Sequence, residues 1–273
     1  MGFVSLPDGN QMYYIEKGKG PVVVFQHGFL GSSWLFEAEV DYFGRQGYHA
    51  FAFDMKGHGQ SDKPEDSSYL LPDLAKDLDS ALKQVIGEKK IVLLGHSMGG
   101  MIALCYATDP KISKRLRGLI LEATARKLQN PALTQYIEGL RQGIIQVTNR
   151  PDIENILVHL CYDRAFQDAH PEVVKEFVDR TLKNENFVGL ATMEAVVENY
   201  DVSDKLGTIT IPTLLIHSEN DSFIPFASSQ ELDEALPNSR HVPFTGPIGH
   251  MLQHEDPKKY KSTIEVFLKE IYG

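Results

Sequence analysis

Four consecutive apolar residues at 91–94 lead into Gly95-His96-Ser97-Met98-Gly99-Gly100, after which no proline appears until Pro110. A short unbroken run rich in branched side chains predicts a strand covered on both faces, and residues 98–108 predict a helix. Similar runs recur at 22–26, 49–54, 117–123 and 211–217, with a shorter one near Arg240-His241-Val242. Helical patterns lie between them. Residues 33–46 carry Trp34, Phe36, Val40 and Phe43, and Leu71, Leu74, Leu78, Leu82 and Val85 form a stripe that packs one face on a sheet. Residues 227–236 and 257–271 predict two further helices. Near the start, Asp8-Gly9-Asn10 marks a turn before a strand at 12–16, which together read as an antiparallel edge. Strand and helix alternate, so the expected fold class is α/β, with a mostly parallel sheet and helices on both faces.

The alternation lapses between residues 126 and 200. Helical stretches at 131–147, 151–161, 171–183 and 187–200 follow one another, three of them opening on a proline, a good first-turn residue. This predicts a helical cap at 126–200 inserted into a core domain made of 1–125 and 201–273.

A chain of 273 residues can bury one full core of this kind. The formal charge of −10, with a pI near 5.5, argues against nucleic acid or an anionic membrane as partner. Cys105 and Cys161 lie in apolar settings without metal-ligand spacing, which predicts reduced thiols and a cytoplasmic location. No apolar run approaches 18 residues, and the first residues lack the pattern of a signal peptide.

Candidate chemistry sits where strands end. Ser97 stands at a strand-to-helix corner between glycines, a geometry that strains the serine backbone and turns its hydroxyl out of the sheet. A serine hydroxyl is a weak nucleophile at neutral pH and needs a base, and the base needs a third group to orient it. His250 is the expected base. It lies in the glycine-flanked stretch 246–250 between the last strand and last helix, and the order serine, acid, histidine is that of nucleophile-elbow proteins. His27, His58, His96, His241 and His254 compete and read as structural hydrogen-bonders or solvated rings. Asp221 and Glu219, both in the loop after strand 213–217, compete for the third role, while Asp54, Asp201 and Asp204 follow other strands. Oxyanion donors are expected from the backbone N–H of Met98, which opens a helix, and of Phe29 in the loop 27–31.

These motifs together resemble the α/β-hydrolase fold, in particular serine hydrolases of the esterase, lipase and haloperoxidase-like group with a helical cap. The resemblance covers nearly the whole chain. It is carried by His27-Gly28-Phe29, by Asp54-Met55-Lys56-Gly57-His58-Gly59-Gln60-Ser61-Asp62, by Gly95-His96-Ser97-Met98-Gly99-Gly100, by the Asp221 loop and by Gly249-His250. It implies Asp221 as the acid, since that position before Phe223-Ile224-Pro225 is the family's usual one. It also implies hydrolysis of small or medium carboxylic esters through an acyl-enzyme, with no cofactor and no metal.

Lys56 replaces an arginine usual in the second motif, which predicts loss of a bidentate structural contact rather than of chemistry. Ser97 excludes the relatives with an aspartate nucleophile. Perhydrolysis, lactone opening and carbon–carbon bond hydrolysis use the same residues, and Met251 departs from the aromatic residue that carbon–carbon hydrolases tend to carry after the histidine. A small-molecule receptor built on the scaffold is the alternative outside enzymes. A homodimer is compatible with the sequence.

Overall fold

The computed structural model describes residues 1–128 and 131–273; residues 129 and 130, inside the expected insertion, lie outside the described residues. Eight strands form one sheet in the order β1-β2-β4-β3-β5-β6-β7-β8. They are β1 Gly2–Ser5, β2 Gln11–Lys17, β3 Val22–Gln26, β4 His49–Phe53, β5 Ile91–His96, β6 Leu116–Glu122, β7 Thr213–Ser218 and β8 Ser239–Phe244. β1 pairs antiparallel with β2 and β2 antiparallel with β4, so the first two strands form the antiparallel edge. Every other pairing is parallel.

The helices of the first half are α1 Glu37–Arg45, α2 Leu71–Ile86 and α3 Met98–Thr108. The expected helix at 33–46 is split, because Ser33–Phe36 takes 3-10 form before α1 begins. In α2 the predicted stripe is buried apart from Val85, which is only partly covered. α3 is buried almost throughout, which is why it shows apolar composition rather than amphipathic spacing. β7 starts two residues later than expected, since Pro212 has no N–H to give a ladder.

Between β6 and β7 the described chain is helical except for its neck. The neck is an isolated antiparallel bridge between Lys127 and Asp201, reinforced by Val202 N–H on the Arg126 carbonyl at 3.1 Å. The elements are α4 Pro131–Arg141, α5 Arg150–Asp152, a π-helical turn Ile153–Leu157, α6 Val158–Cys161, α7 Arg164–Ala169, α8 Pro171–Thr181 and α9 Asn186–Glu198. α4 is shorter than expected, ending in a turn with Gly143 at positive φ, and neither the π turn nor α7 was among the expected elements. α10 Ala227–Ala235, α11 Leu252–Glu255 and α12 Pro257–Tyr272 complete the fold. Among the described residues no helix is long and apolar enough to cross a membrane.

Candidate active site

Ser97 has φ 56° and ψ −122°, a backbone state that a non-glycine residue holds only when its surroundings impose it. The surroundings do so with hydrogen bonds. Ser97 N–H donates to the Glu122 carbonyl at 2.8 Å, while the Ser97 carbonyl accepts from Gly100 N–H at 2.9 Å and Thr124 Oγ1 at 2.8 Å. The flanking glycines leave no room for side chains, since a Cβ on Gly95 would lie 2.2 Å from the Gly99 carbonyl oxygen and one on Gly99 would lie 2.3 Å from that of Gln26. Met98 opens α3, so its N–H has no intrahelical acceptor and carries the positive end of the helix dipole. The loop after β3 comes so close that a Cβ on Gly28 would stand 2.9 Å from Ser97 Cβ, which brings Phe29 beside the same corner. Ser97, Gly28 and Phe29 border one small cavity with His250.

His250 Nδ1 donates to Asp221 Oδ2 at 2.7 Å, and both side chains are buried. With Nδ1 holding that hydrogen, Nε2 of the neutral ring keeps its lone pair. Asp221 accepts three hydrogen bonds and has a fourth nitrogen close by. Its Oδ1 takes the N–H groups of Phe223 and Ile224 at 2.8 and 2.9 Å, and its Oδ2 lies 3.1 Å from His217 Nε2 as well. His217 Nε2 is also 2.9 Å from the Ile224 carbonyl, which can only accept, so this nitrogen carries the hydrogen.

Burial alone would raise the Asp221 carboxyl, yet the His250 ring together with hydrogen bonds from His217 and His250 holds it well below the ordinary carboxylate range. Two nearby carboxyls move the other way. Burial pushes Glu122, bonded to Tyr260 Oη at 2.6 Å, well above the ordinary range, and pushes Glu255 up to about 7. Asp221 is therefore the buried carboxyl whose surroundings favour the anion next to His250.

Among the competing residues His96 borders the same cavity, its Nε2 3.1 Å from the His250 carbonyl, while the following are occupied elsewhere. Glu219 is exposed, Asp54 caps its own loop through Ser33 and Gln60 N–H at 2.6 and 2.7 Å, and Asp201 accepts Ser203 N–H at 2.9 Å. His27 accepts Met55 N–H at 3.0 Å and donates to the Gly28 carbonyl at 2.8 Å, and burial lowers its pKa to about 4. His58 packs beside it, lowered to about 3. Lys56 is buried and makes ion pairs with Asp77 at 2.8 Å and Asp8 at 3.5 Å, one contact to each carboxylate. Both cysteines are buried thiols. Among the described residues no three His, Cys, Asp or Glu side chains converge in a way that could hold a metal ion.

Glu255 and His217 escaped the sequence reading. Glu255 accepts N–H groups from both neighbours of His250, Gly249 at 2.9 Å and Met251 at 3.2 Å, and from Asp163 of the helical segment at 2.8 Å. His250 N–H in turn donates to the Cys161 carbonyl at 2.9 Å. Spacing along the chain could not reveal the link to the helical segment, because Asp163 and Glu255 are 92 residues apart.

The family model of the alpha/beta hydrolase fold matches residues 21–257. This chain belongs to the α/β-hydrolase family. Among its relatives, a proline iminopeptidase of Saccharolobus solfataricus is 30% identical, covering 95% of this chain and 88% of that one. An esterase from Exiguobacterium antarcticum superposes with a TM-score of 0.88 at 25% identity, covering 98% of this chain and 100% of that one. A thermophilic esterase from Thermogutta terrifontis gives 0.89 at 22% identity with both chains fully covered, a likeness of fold. The α/β-hydrolase chain is thus a hydrolase whose relatives include both esterases and peptidases.

Proposed function

We propose that this hydrolase cleaves carboxylic esters with small to medium acyl groups, using Ser97 as nucleophile, His250 as general base and Asp221 as the group that orients and balances the imidazole. His250 Nε2 takes the Ser97 proton as the oxygen attacks the ester carbonyl, and the Met98 and Phe29 N–H groups receive the oxyanion. Collapse breaks the bond to the alcohol oxygen, which leaves with the proton from His250. Water, deprotonated by the same ring, then releases the acid and restores Ser97. The helical segment 126–200 roofs this site as a cap and sets substrate choice.

The observation that carries the ester reading is the lining of the cavity shared by Ser97 and His250. Its other walls are Gly28, Phe29, Leu30, Leu35, His96, Leu157, Cys161, Phe177, Phe223 and Met251, and no carboxylate is among them. An aminopeptidase must desolvate the cationic amine of its substrate next to the scissile bond, which needs an acid there. An ester needs none. The test is labelling with a fluorophosphonate and turnover of p-nitrophenyl acetate: both disappear in Ser97→Ala, with kcat down by about 10^6. Ester turnover that survives in Ser97→Ala removes the reading, and cleavage of prolyl amides faster than esters replaces it with the peptidase.

A further inference from the structure

The cavity that holds Ser97 and His250 has only about 20 Å³ of free space, room for little more than one or two water-sized groups. A second cavity of about 180 Å³ lies between the helical segment and the Asp221 loop. Its walls include Leu133, Tyr136, Ile156, Leu160 and Met193, with the exposed Ser222 at its edge, and none of the described residues lining it is charged. The two cavities share two wall residues, Leu157 and Phe223. Phe223 is fixed from below, because its N–H is held by Asp221 Oδ1 at 2.8 Å and its ring stands 5.1 Å from that of His250. Leu157 ends the π-helical turn Ile153–Leu157, a local widening of the helix that recurs at functional positions. The partition is thus one fixed aromatic ring from the core and one aliphatic side chain on an irregular helix turn.

We propose that the chamber behind Leu157 and Phe223 is the specificity compartment of the active site, and that it takes one uncharged apolar group of the ester, about six carbons long or the size of a phenyl ring, once the Leu157 side chain turns aside. This inference rests on the ester reading above and adds the size and chemistry of the substrate. A dry cavity of about 150 Å³ lined by aliphatic and aromatic residues holds benzene in a well-studied protein, and this chamber is slightly larger. Every methylene moved from water into such a lining favours the transition state severalfold, up to the length at which the chamber is full.

Two series of esters test it, with p-nitrophenyl acyl chains from acetate to dodecanoate in one arm and acetates of methanol, hexanol and benzyl alcohol in the other. In at least one arm kcat/KM rises by about tenfold or more as the variable group reaches six carbons, and in the acyl arm it falls again by dodecanoate. Met193→Trp, which fills the chamber, lowers the ratio of six-carbon to short-ester kcat/KM by about tenfold, whereas Leu157→Ala, which removes the partition, raises it. Leu160→Phe replaces Met193→Trp if the larger substitution does not fold. A profile flat to six carbons in both arms, or a ratio unmoved by the filling substitution, overturns the chamber while leaving Ser97-dependent acetate hydrolysis in place. If no ester is turned over, the ester reading fails. The chamber is then judged by toluene, which raises the Tm of the unaltered chain and not of the filled variant; no rise overturns it.

Discussion

The loops that carry Ser97, Asp221 and His250 and the outer face of the helical segment above them are held by different forces. Around the three residues the chain is tied by buried hydrogen bonds: the Ser97 corner to Glu122, Gly100 and Thr124, the Asp221 carboxylate to Phe223, Ile224 and His250, and the His250 loop to Cys161 and Glu255. These groups are buried, where an unmet polar atom costs about 1–3 kcal/mol, so the geometry is tightly specified. The outer face of the helical segment carries its polar contacts as ion pairs in water. Arg141 of α4 bridges to Glu194 and Glu198 of α9 at 2.7 and 2.8 Å, and Arg150 joins Asp179 of α8 and Glu154. Exposed pairs of this kind contribute little and weaken with salt. The geometry around Ser97, Asp221 and His250 is therefore set by buried hydrogen bonds, while the helical segment packs its inner face into the hydrophobic core and meets these loops through residues 161–163 and through Asn184 Nδ2 on the Leu30 carbonyl at 2.9 Å.

Asp221→Asn attacks the tightly held side of this contrast. The N–H groups of Phe223 and Ile224 oblige the amide oxygen to take the Oδ1 place, which leaves the NH2 facing His250 Nδ1. The ring must then accept at Nδ1 and carry its hydrogen on Nε2, the wrong tautomer for a base. Steady-state kinetics should show kcat lower by about 10^4 with KM little changed. A fall of less than tenfold would mean that another group orients the ring.

Glu255→Gln probes the junction between the two regions through pH. Burial raises this carboxyl to about 7, so between pH 4.5 and 7 the folded chain binds more protons at this group than the unfolded chain does. Its contribution to stability is full below that window and is lost as pH rises through it. Glutamine has no such titration. The Tm of the variant minus that of the parent should therefore climb from pH 4.5 to 7.5 in thermal melts, and a flat difference would show that the group does not titrate there.

Arg141→Ala is the smallest change, removing the bridge from α4 to α9 on the exposed face. Tm should shift by no more than about 2 °C, and by less in 0.5 M salt. A larger loss would show that the roof depends on its ion pairs after all.

The elbow and the alternation of strand and helix were legible because both are local. A strand buried on both faces must be an apolar run, and Ser97 at its strained corner needs glycine where a Cβ would strike backbone at 2.2 Å. The pairing of His250 with Asp221 was legible only through chain order and resemblance, since nothing local separated Asp221 from Glu219. In the structure one is buried against His250 and the other is exposed. His217 and Glu255 carried no signal, because a histidine at the end of a strand and an acid near a helix start are ordinary residues, and only the folded loops turn His217 toward Asp221 and Glu255 toward the N–H groups beside His250. The helical segment was legible as helix but not in its breaks. The π turn Ile153–Leu157 contains no glycine or proline that would have marked it.

By itself the amino-acid sequence determined the order of strands and helices, the inserted helical stretch and the strained serine, because periodicity, glycine placement and proline act over a few neighbouring residues. Only the tertiary structure decided which carboxyl is held as the anion, which histidine it holds and which residues wall the cavity beside Ser97. Those properties depend on burial and on contacts between segments tens of residues apart, and neither exists until the chain has packed.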